Sequence, residues 1–135
     1  MNWVNAYYLN TTWERFTYGW NGYATARTSG IFVAFNGAGQ PMTFSLPVGQ
    51  YFQLNSVSLA AAWNNNLQLT IKGTRNNVLV YQTIVSLQVA TRTMLYTFKW
   101  ANIDKISFEA AGGTPYPGLS GSGTQFVVDD LDITI

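Results

Sequence analysis

Apolar and polar residues alternate along much of the chain, in the period of two that is typical of β-strands with one buried and one exposed face. Leu67, Leu69 and Ile71 form one such series, with a polar residue between each pair. No segment repeats apolar residues at helical spacing over three turns without interruption by a glycine or a β-branched residue. The pattern therefore predicts an almost wholly β structure.

The predicted strands are runs rich in Val, Ile, Thr, Tyr and Phe, separated by clusters of Gly, Asn and Pro as in sandwiches and barrels. The first dozen residues, which contain Trp3, Tyr7 and Tyr8, are a candidate for one more strand. We expect an all-β fold, a two-sheet antiparallel β-sandwich or jelly roll of about nine to ten strands, with residues 1–135 as a single domain. The runs lie near 13–18, 30–36, 41–46, 51–62, 66–73, 77–87, 92–100, 103–109 and 125–134.

Two asparagine clusters predict tight turns, because asparagine tolerates the positive φ angles that such turns require. Asn64-Asn65-Asn66 separates the apolar runs at 57–63 and 67–71. Thr74-Arg75-Asn76-Asn77 separates that second run from the one that begins at Val78. We expect each cluster to close an antiparallel hairpin.

The composition is apolar and nearly uncharged. Apolar residues make up 47% of the chain and charged residues 10%, with a formal net charge of +1. The seven Lys and Arg residues are scattered, whereas nucleic-acid binding needs clustered basic charge. We therefore expect no nucleic-acid partner. Low charge suits a neutral, hydroxyl-rich ligand such as a sugar, and it equally suits a secreted β-domain without a ligand.

Histidine and cysteine are both absent, which excludes several kinds of active site. A Ser-His-Asp or Cys-His arrangement, a thiolate nucleophile and a His-bearing zinc site are all ruled out. The glycine-rich stretches at 37–39 and 121–123 lack the lysine and the helix of a phosphate-binding loop. Six Asp and Glu residues leave a glycosidase formally open, but we expect a protein without catalytic activity.

The last predicted strand contains a change of phase. Apolar residues occupy even positions up to Val128 and odd positions from Leu131 onward. A β-bulge at Asp129-Asp130 would restore the register. Carboxylates at a bulge are suited to supply part of a calcium site together with backbone carbonyls. The alternative is that both acids protect an edge strand against aggregation.

Four stretches resemble a widespread group of extracellular jelly-roll domains that are similar to carbohydrate-binding modules. The stretches are 52–63, 67–73, 103–108 and 121–131, the last of which contains a closing Phe-x-x-Asp-Asp motif. The likeness extends over roughly residues 30–135. Its motifs are mainly patterns of apolar spacing, so the resemblance specifies the fold better than the ligand.

The resemblance implies a structural calcium ion and an extracellular location. In such modules the first acid of the closing pair ligates calcium, which here corresponds to Asp129, with Asp130 as the second choice. A further acidic ligand usually comes from a strand near the N-terminus, where Glu14 is the only acid in the first hundred residues. The start of the chain has no signal-peptide pattern, which fits either a cytosolic protein or one whose signal is removed.

Aromatic residues are abundant enough that some should be exposed. The chain has five Trp, eight Tyr and eight Phe. The C–H faces of sugar rings pack on Trp and Tyr, whose N–H and O–H groups still bind hydroxyls. For Trp63 and Trp100, packing at the rim of the core is the alternative. The predicted sugar-binding residues are Trp13, Tyr18, Trp20, Tyr23, Trp63, Trp100 and Tyr116.

Together these features predict a lectin or carbohydrate-binding module that binds an oligo- or polysaccharide. The alternative is a structural or adhesive surface domain that forms a homo-oligomer through edge strands or exposed aromatic residues. No apolar run is long enough to cross a bilayer, so we expect no membrane insertion.

Overall fold

The computed structural model describes residues 1–89 and 94–135. Within them lie two main antiparallel sheets of five strands each, packed as a β-sandwich. This confirms the predicted fold class. The elements are β1 (Asn2–Val4), β2 (Ala6–Asn10), α1 (Thr11–Tyr18), α2 (Gly22–Thr25), β3 (Phe32–Asn36), β4 (Met42–Ser45), β5 (Phe52–Ala61), β6 (Asn64–Asn65), β7 (Leu67–Arg75), β8 (Val78–Leu87), β9 (Met94–Ile103), β10 (Lys105–Ala111), β11 (Thr114–Pro115) and β12 (Phe126–Thr134).

The sheets mix strands that are distant in the sequence. Sheet A has the order β1-β4-β10-β7-β8, and sheet B has the order β2-β3-β12-β5-β9. The two-residue strands β6 and β11 pair with each other. The first two residues of the strand predicted at 92–100 lie outside the described residues.

The core lies between the two sheets. Leu67, Leu69 and Ile71 are fully buried on β7, as their alternation predicts. Phe108 of sheet A faces Phe126 of sheet B with ring centroids 6.0 Å apart. Each such side chain contributes about 1.5–3 kcal/mol through removal of its apolar surface from water. The sandwich is therefore stabilised mainly by contacts across the sheets.

The strand predicted at 13–18 is wrong, because these residues lie in helix α1. The side chain of Asn10 accepts hydrogen bonds from the N–H groups of Thr12 and Trp13, at 3.0 and 3.1 Å, and so caps the helix. Asn21 caps α2 in the same way through the N–H of Ala24. Both helices are shorter than the three turns over which helical spacing becomes recognisable.

The two asparagine turns differ. Asn76 and Asn77 have φ angles of 50° and 63° and close the β7–β8 hairpin, which confirms that prediction. The other prediction is wrong, because β5 belongs to sheet B and β7 to sheet A. Asn66, with φ of 55°, lies where the chain crosses between the sheets. A residue with a positive φ can reverse the direction of the chain, but it does not determine whether the two flanking strands pair with each other.

The bulge in β12 is present where the phase change predicts it. Asp129 lies opposite Ser58 and Asp132 opposite Ser56, so β12 has one extra residue between them. Asp130 has a φ of 46°. β12 pairs with β3 at Val127 and Val128 and extends past it from Asp129 onward, so protection of this strand edge stays an alternative role of the two acids.

The helices cover the outer face of sheet B. Tyr23 and Ala26 form a second apolar cluster with Val33, Ala60 and Val127 on that face. The N–H of Gly22 donates to the carbonyl of Ala62 at 3.0 Å, which brings α2 against β5. Among the described residues, no helix has both the length and the hydrophobicity that a membrane span requires.

Candidate functional site

The structure does not bring all seven predicted sugar-binding residues together, although contacts link Tyr23 to Trp63, Trp63 to Tyr116 and Tyr116 to Trp20. Tyr23 is 6% exposed and packs against half-buried Trp63, with ring centroids 5.5 Å apart. Burial raises the pKa of Tyr23 to about 12, the nearby Glu14 carboxylate adds to the rise, and a hydrogen bond from Trp63 opposes it. The prediction that Tyr23 stacks on a sugar is therefore wrong, because the ring is part of the cluster beneath the helices.

Four other predicted residues form two pairs, in which Trp13, Tyr18 and Trp20 are exposed and Tyr116 is half-buried. Trp13 and Tyr18 lie on α1 with ring centroids 5.7 Å apart. Trp20 contacts Tyr116 at 5.1 Å. No acidic side chain hydrogen-bonds to either pair in the described parts of the chain. Each pair offers a ring surface, but the described residues add no carboxylate to it.

Trp100 connects the two sheets. Its ring stacks on Tyr81 of β8 with planes 7° apart and centroids 5.3 Å apart. A Cβ on Gly73 would lie 3.2 Å from the Trp100 ring. The absence of a side chain at Gly73 therefore leaves space for the indole. Trp100 lines a groove of about 600 Å³ between β8 and β9. Its contacts agree with the alternative of packing at the rim of the core.

A different cleft combines exposed aromatic rings with carboxylates. We call it the aromatic cleft; its volume is about 260 Å³, and it is lined by residues of β1, β2, β3 and β12. It opens at the side of the sandwich where the chain passes from β1 in sheet A to β2 in sheet B, through Asn5 with φ of 55°. Its polar and aromatic lining consists of Trp3, Tyr8, Phe32, Asp129 and Asp130.

Three rings from three strands form the apolar part of the aromatic cleft. Trp3, Tyr8 and Phe32 are 42%, 77% and 51% exposed. Tyr8 and Phe32 meet edge to face with centroids 5.9 Å apart. Tyr8 lies opposite Ala34, whose small side chain leaves space on the sheet beside it. The ring faces are therefore accessible to a ligand.

The bulge brings both carboxylates to the same loop. Neighbouring residues of a regular strand point to opposite faces, but the hydroxyl of Thr28 lies 2.9 Å from Asp129 Oδ2 and 2.6 Å from Asp130 Oδ2. The N–H of Thr28 donates to Asp129 Oδ2 at 2.7 Å, and the Ser29 hydroxyl donates to Asp130 Oδ1 at 2.6 Å. The hydrogen bonds from Ser29 and Thr28 lower the pKa of Asp130 from its ordinary value.

These contacts do not by themselves complete a calcium site. A calcium ion needs oxygen lone pairs directed at it from six to eight ligands. The Oδ1 atom of Asp129 accepts from the N–H of Asp130 at 3.0 Å, so every carboxylate oxygen of the pair already has a donor from the chain. Each oxygen still has lone-pair capacity for a further contact, but two carboxylates that are bound to the Thr28–Ser29 loop supply only part of the six to eight ligands of calcium.

The third predicted calcium ligand, Glu14, lies on α1 and accepts a hydrogen bond from the Asn21 amide at 2.8 Å. Within residues 1–89 and 94–135, no group of three His, Cys, Asp or Glu side chains is placed to hold a metal ion. The structure therefore does not bring Glu14 together with Asp129 and Asp130 as one donor set. Calcium stays a prediction without a fitting site.

Sequence reasoning missed all three rings of the aromatic cleft. One signal was present, because two consecutive tyrosines on a strand must direct one ring to each face. Tyr7 packs on Phe35 at 5.8 Å on the outer side of sheet B, which leaves Tyr8 for the side that faces the cleft. The proximity of Trp3 and Phe32 depends on strand pairings that local patterns do not contain.

Comparison with known proteins gives no family assignment. The sequence matches no protein-family model, and no curated protein is significantly similar to it. The resemblance of residues 30–135 to extracellular jelly-roll domains therefore stays a prediction, whereas the β-sandwich itself is observed.

Proposed function

We propose that this protein is a non-catalytic carbohydrate-binding domain that holds a sugar in the aromatic cleft. The observation that carries the proposal is the meeting of three exposed rings and two prearranged carboxylates in one cleft. The Trp13–Tyr18 pair has only an indole N–H and a phenol O–H beside its ring faces, and so it selects less strongly among ligands. The carboxylates of the aromatic cleft accept hydrogen bonds and therefore favour ligands that carry hydroxyl groups.

The two kinds of side chain match the two kinds of sugar surface. The C–H groups of a pyranose pack against the faces of Trp3 and Tyr8, while its hydroxyls donate to carboxylate oxygens. The hydroxyls of Thr28 and Ser29 already fix Asp129 and Asp130 in position. Because these carboxylates need little reordering on binding, the entropic cost of ordering them is small.

The size and charge of the site favour one neutral sugar unit. Pockets for drug-sized ligands span about 300–1,000 Å³, and the aromatic cleft encloses about 260 Å³. No basic side chain among the described residues lines it, which disfavours acidic or phosphorylated sugars. One ring of an oligo- or polysaccharide fits this description, with the rest of the chain extending into solvent.

The arrangement of the acids supports binding over hydrolysis. A glycosidase places two carboxylates on opposite sides of the scissile bond, about 5–9.5 Å apart. Asp129 and Asp130 are adjacent in sequence and contact the same Thr28 hydroxyl. Both carboxylates therefore contact the same side of a bound sugar, and neither lies on the opposite side of a glycosidic bond.

A glycan array tests the proposal with two neighbouring tyrosines. We expect the folded protein to bind neutral glycans, and Tyr8→Ala to weaken the tightest binding by at least ~10-fold through loss of ring stacking. Tyr7→Ala is the matched control, since Tyr7 is also exposed but lies on the other side of β2; it should change affinity by less than ~2-fold. Failure of the folded protein to bind any glycan would contradict the proposal, as would equal losses in the two variants.

A further inference from the structure

Each main sheet ends in two edge strands, whose outer backbone N–H and C=O groups have no strand partner within the described residues. They are β1 and β8 in sheet A, and β2 and β9 in sheet B. Such edges are templates for pairing with another chain, and proteins usually protect them by shortness, charge, proline or bulges. The four edges differ in how far they are protected.

Three of the four edges carry such protection. β1 has three residues, and β2 has five before the chain turns directly into α1. β9 is ten residues long, but it makes two register shifts against β5. It also contains Lys99, whose side chain is exposed. A second strand could not pair regularly with β9, because the bulges interrupt its hydrogen bonding. Such a strand would also lie beside the charged side chain of Lys99.

The edge of β8 has none of these features over most of its length. β8 is ten residues long and contains no charged residue and no proline. Its single register shift against β7 lies near its start; from Tyr81, opposite Gly73, to Leu87, opposite Leu67, the pairing is continuous. Val80 and Ile84 on this strand are 40% and 58% exposed. A regular, uncharged and partly apolar edge is therefore open to solvent.

We propose that β8 pairs antiparallel with β8 of a second copy of this chain, so that two copies of sheet A become one continuous sheet. The unpaired backbone groups require a strand as their partner, and a second β8 meets the first without any like-charge contact. Antiparallel pairing of a strand with itself creates a two-fold axis, which closes the assembly as a dimer. With Gln82 on this axis, Val80 of one copy lies opposite Ile84 of the other.

Measurement of molar mass against concentration tests this dimer. By light scattering up to ~1 mM, the natural protein should shift from monomer to dimer. Gln82→Lys should weaken dimerisation by at least ~10-fold, because two lysines meet on the axis. Val48→Lys is the matched control: it adds the same charge at a fully exposed site between β4 and β5, and it should dimerise like the natural protein. Circular dichroism confirms that each variant is folded.

A charge-pairing experiment makes the test specific to β8. Gln82→Lys and Gln82→Glu should each be mainly monomeric alone, and an equimolar mixture should form a dimer of the two variants. A natural protein that stays monomeric throughout the range would overturn the proposal. So would an unweakened Gln82→Lys dimer, an equal loss in Val48→Lys, or a mixture that does not dimerise. None of these results depends on sugar binding.

Discussion

At the residue scale, Ser29 and Thr28 hold Asp130 as an anion beside the aromatic cleft. Their hydroxyl hydrogen bonds lower its pKa, with Ser29 making the larger contribution. A carboxyl group whose pKa is lower in the folded than in the unfolded protein stabilises the fold above its unfolded pKa. That stabilisation is lost as the pH falls through the lowered folded value, so these contacts weaken only in acid.

Removal of the Ser29 hydroxyl should therefore raise the pKa of Asp130 toward its ordinary value. The measurement is a carboxyl carbon NMR titration of Ser29→Ala beside the natural protein. Ser122→Ala, in an exposed loop, is the control and should leave the Asp130 titration unchanged. An Asp130 pKa that is equal in Ser29→Ala and the natural protein would contradict the proposed prearrangement of the carboxylate.

Single residues also show how far the sequence predicts the site. Asp129 and Asp130 were recognisable as special because a phase change in the apolar pattern is a local signal. Trp3 and Phe32 were not, since β1 and β3 belong to different sheets and meet only through the crossing at Asn5. Local patterns contain strand phase, but they do not contain the pairing of strands distant in sequence.

At the element scale, the docking of α2 on β5 depends on a close backbone approach. A Cβ on Gly22 would overlap the carbonyl oxygen of Ala61, which belongs to the backbone and cannot rotate away. This approach places the helices over the outer face of sheet B and sets the path of the Thr28–Ser29 loop that follows α2.

Gly22→Ala should destabilise the protein by about 1–3 kcal/mol through this overlap, although helix propensity alone predicts a gain of about 1 kcal/mol. The measurement is the free energy of unfolding from urea denaturation. Thr12→Ala, at an exposed position of α1, is the control and should show only the small gain that propensity predicts. A more stable Gly22→Ala variant would contradict the packing described for α2.

The elements also differ in how well the sequence predicts them. The strand β7 was predictable because it is half-buried and its alternation is regular. Helix α1 was not, since eight residues are too few to show a helical repeat, and its threonine and aromatic content is typical of strands. Its formation depends on the Asn10 cap, which satisfies two N–H groups of the first turn.

At the scale of the whole molecule, the sandwich has a closed core between its two sheets. The acidic pair on β12 is satisfied by donors from the chain, and the core is continuous between the sheets. We therefore expect neither stability nor sugar binding to depend on calcium, in contrast to the expectation from the jelly-roll resemblance.

Chelation tests this expectation. The melting temperature with excess chelator should agree with that in millimolar calcium to within ~1 °C, because a ligand that binds only the folded state would raise it. Magnesium in place of calcium is the control for ionic strength. A rise of several degrees that occurs with calcium alone would show that the acidic pair rearranges to bind the ion.

The measurement that tests the location of the sugar most directly is NMR titration of ¹⁵N-labelled protein with the tightest-binding glycan from the array. The account predicts that the Trp3 indole signal and the backbone amides of Tyr8 and Asp130 shift as the ligand binds. The indole signals of Trp13 and Trp100 should remain unchanged, since these rings lie outside the aromatic cleft. Shifts confined to the Trp13 or Trp100 indoles, with none at Trp3 and Tyr8, would contradict the account.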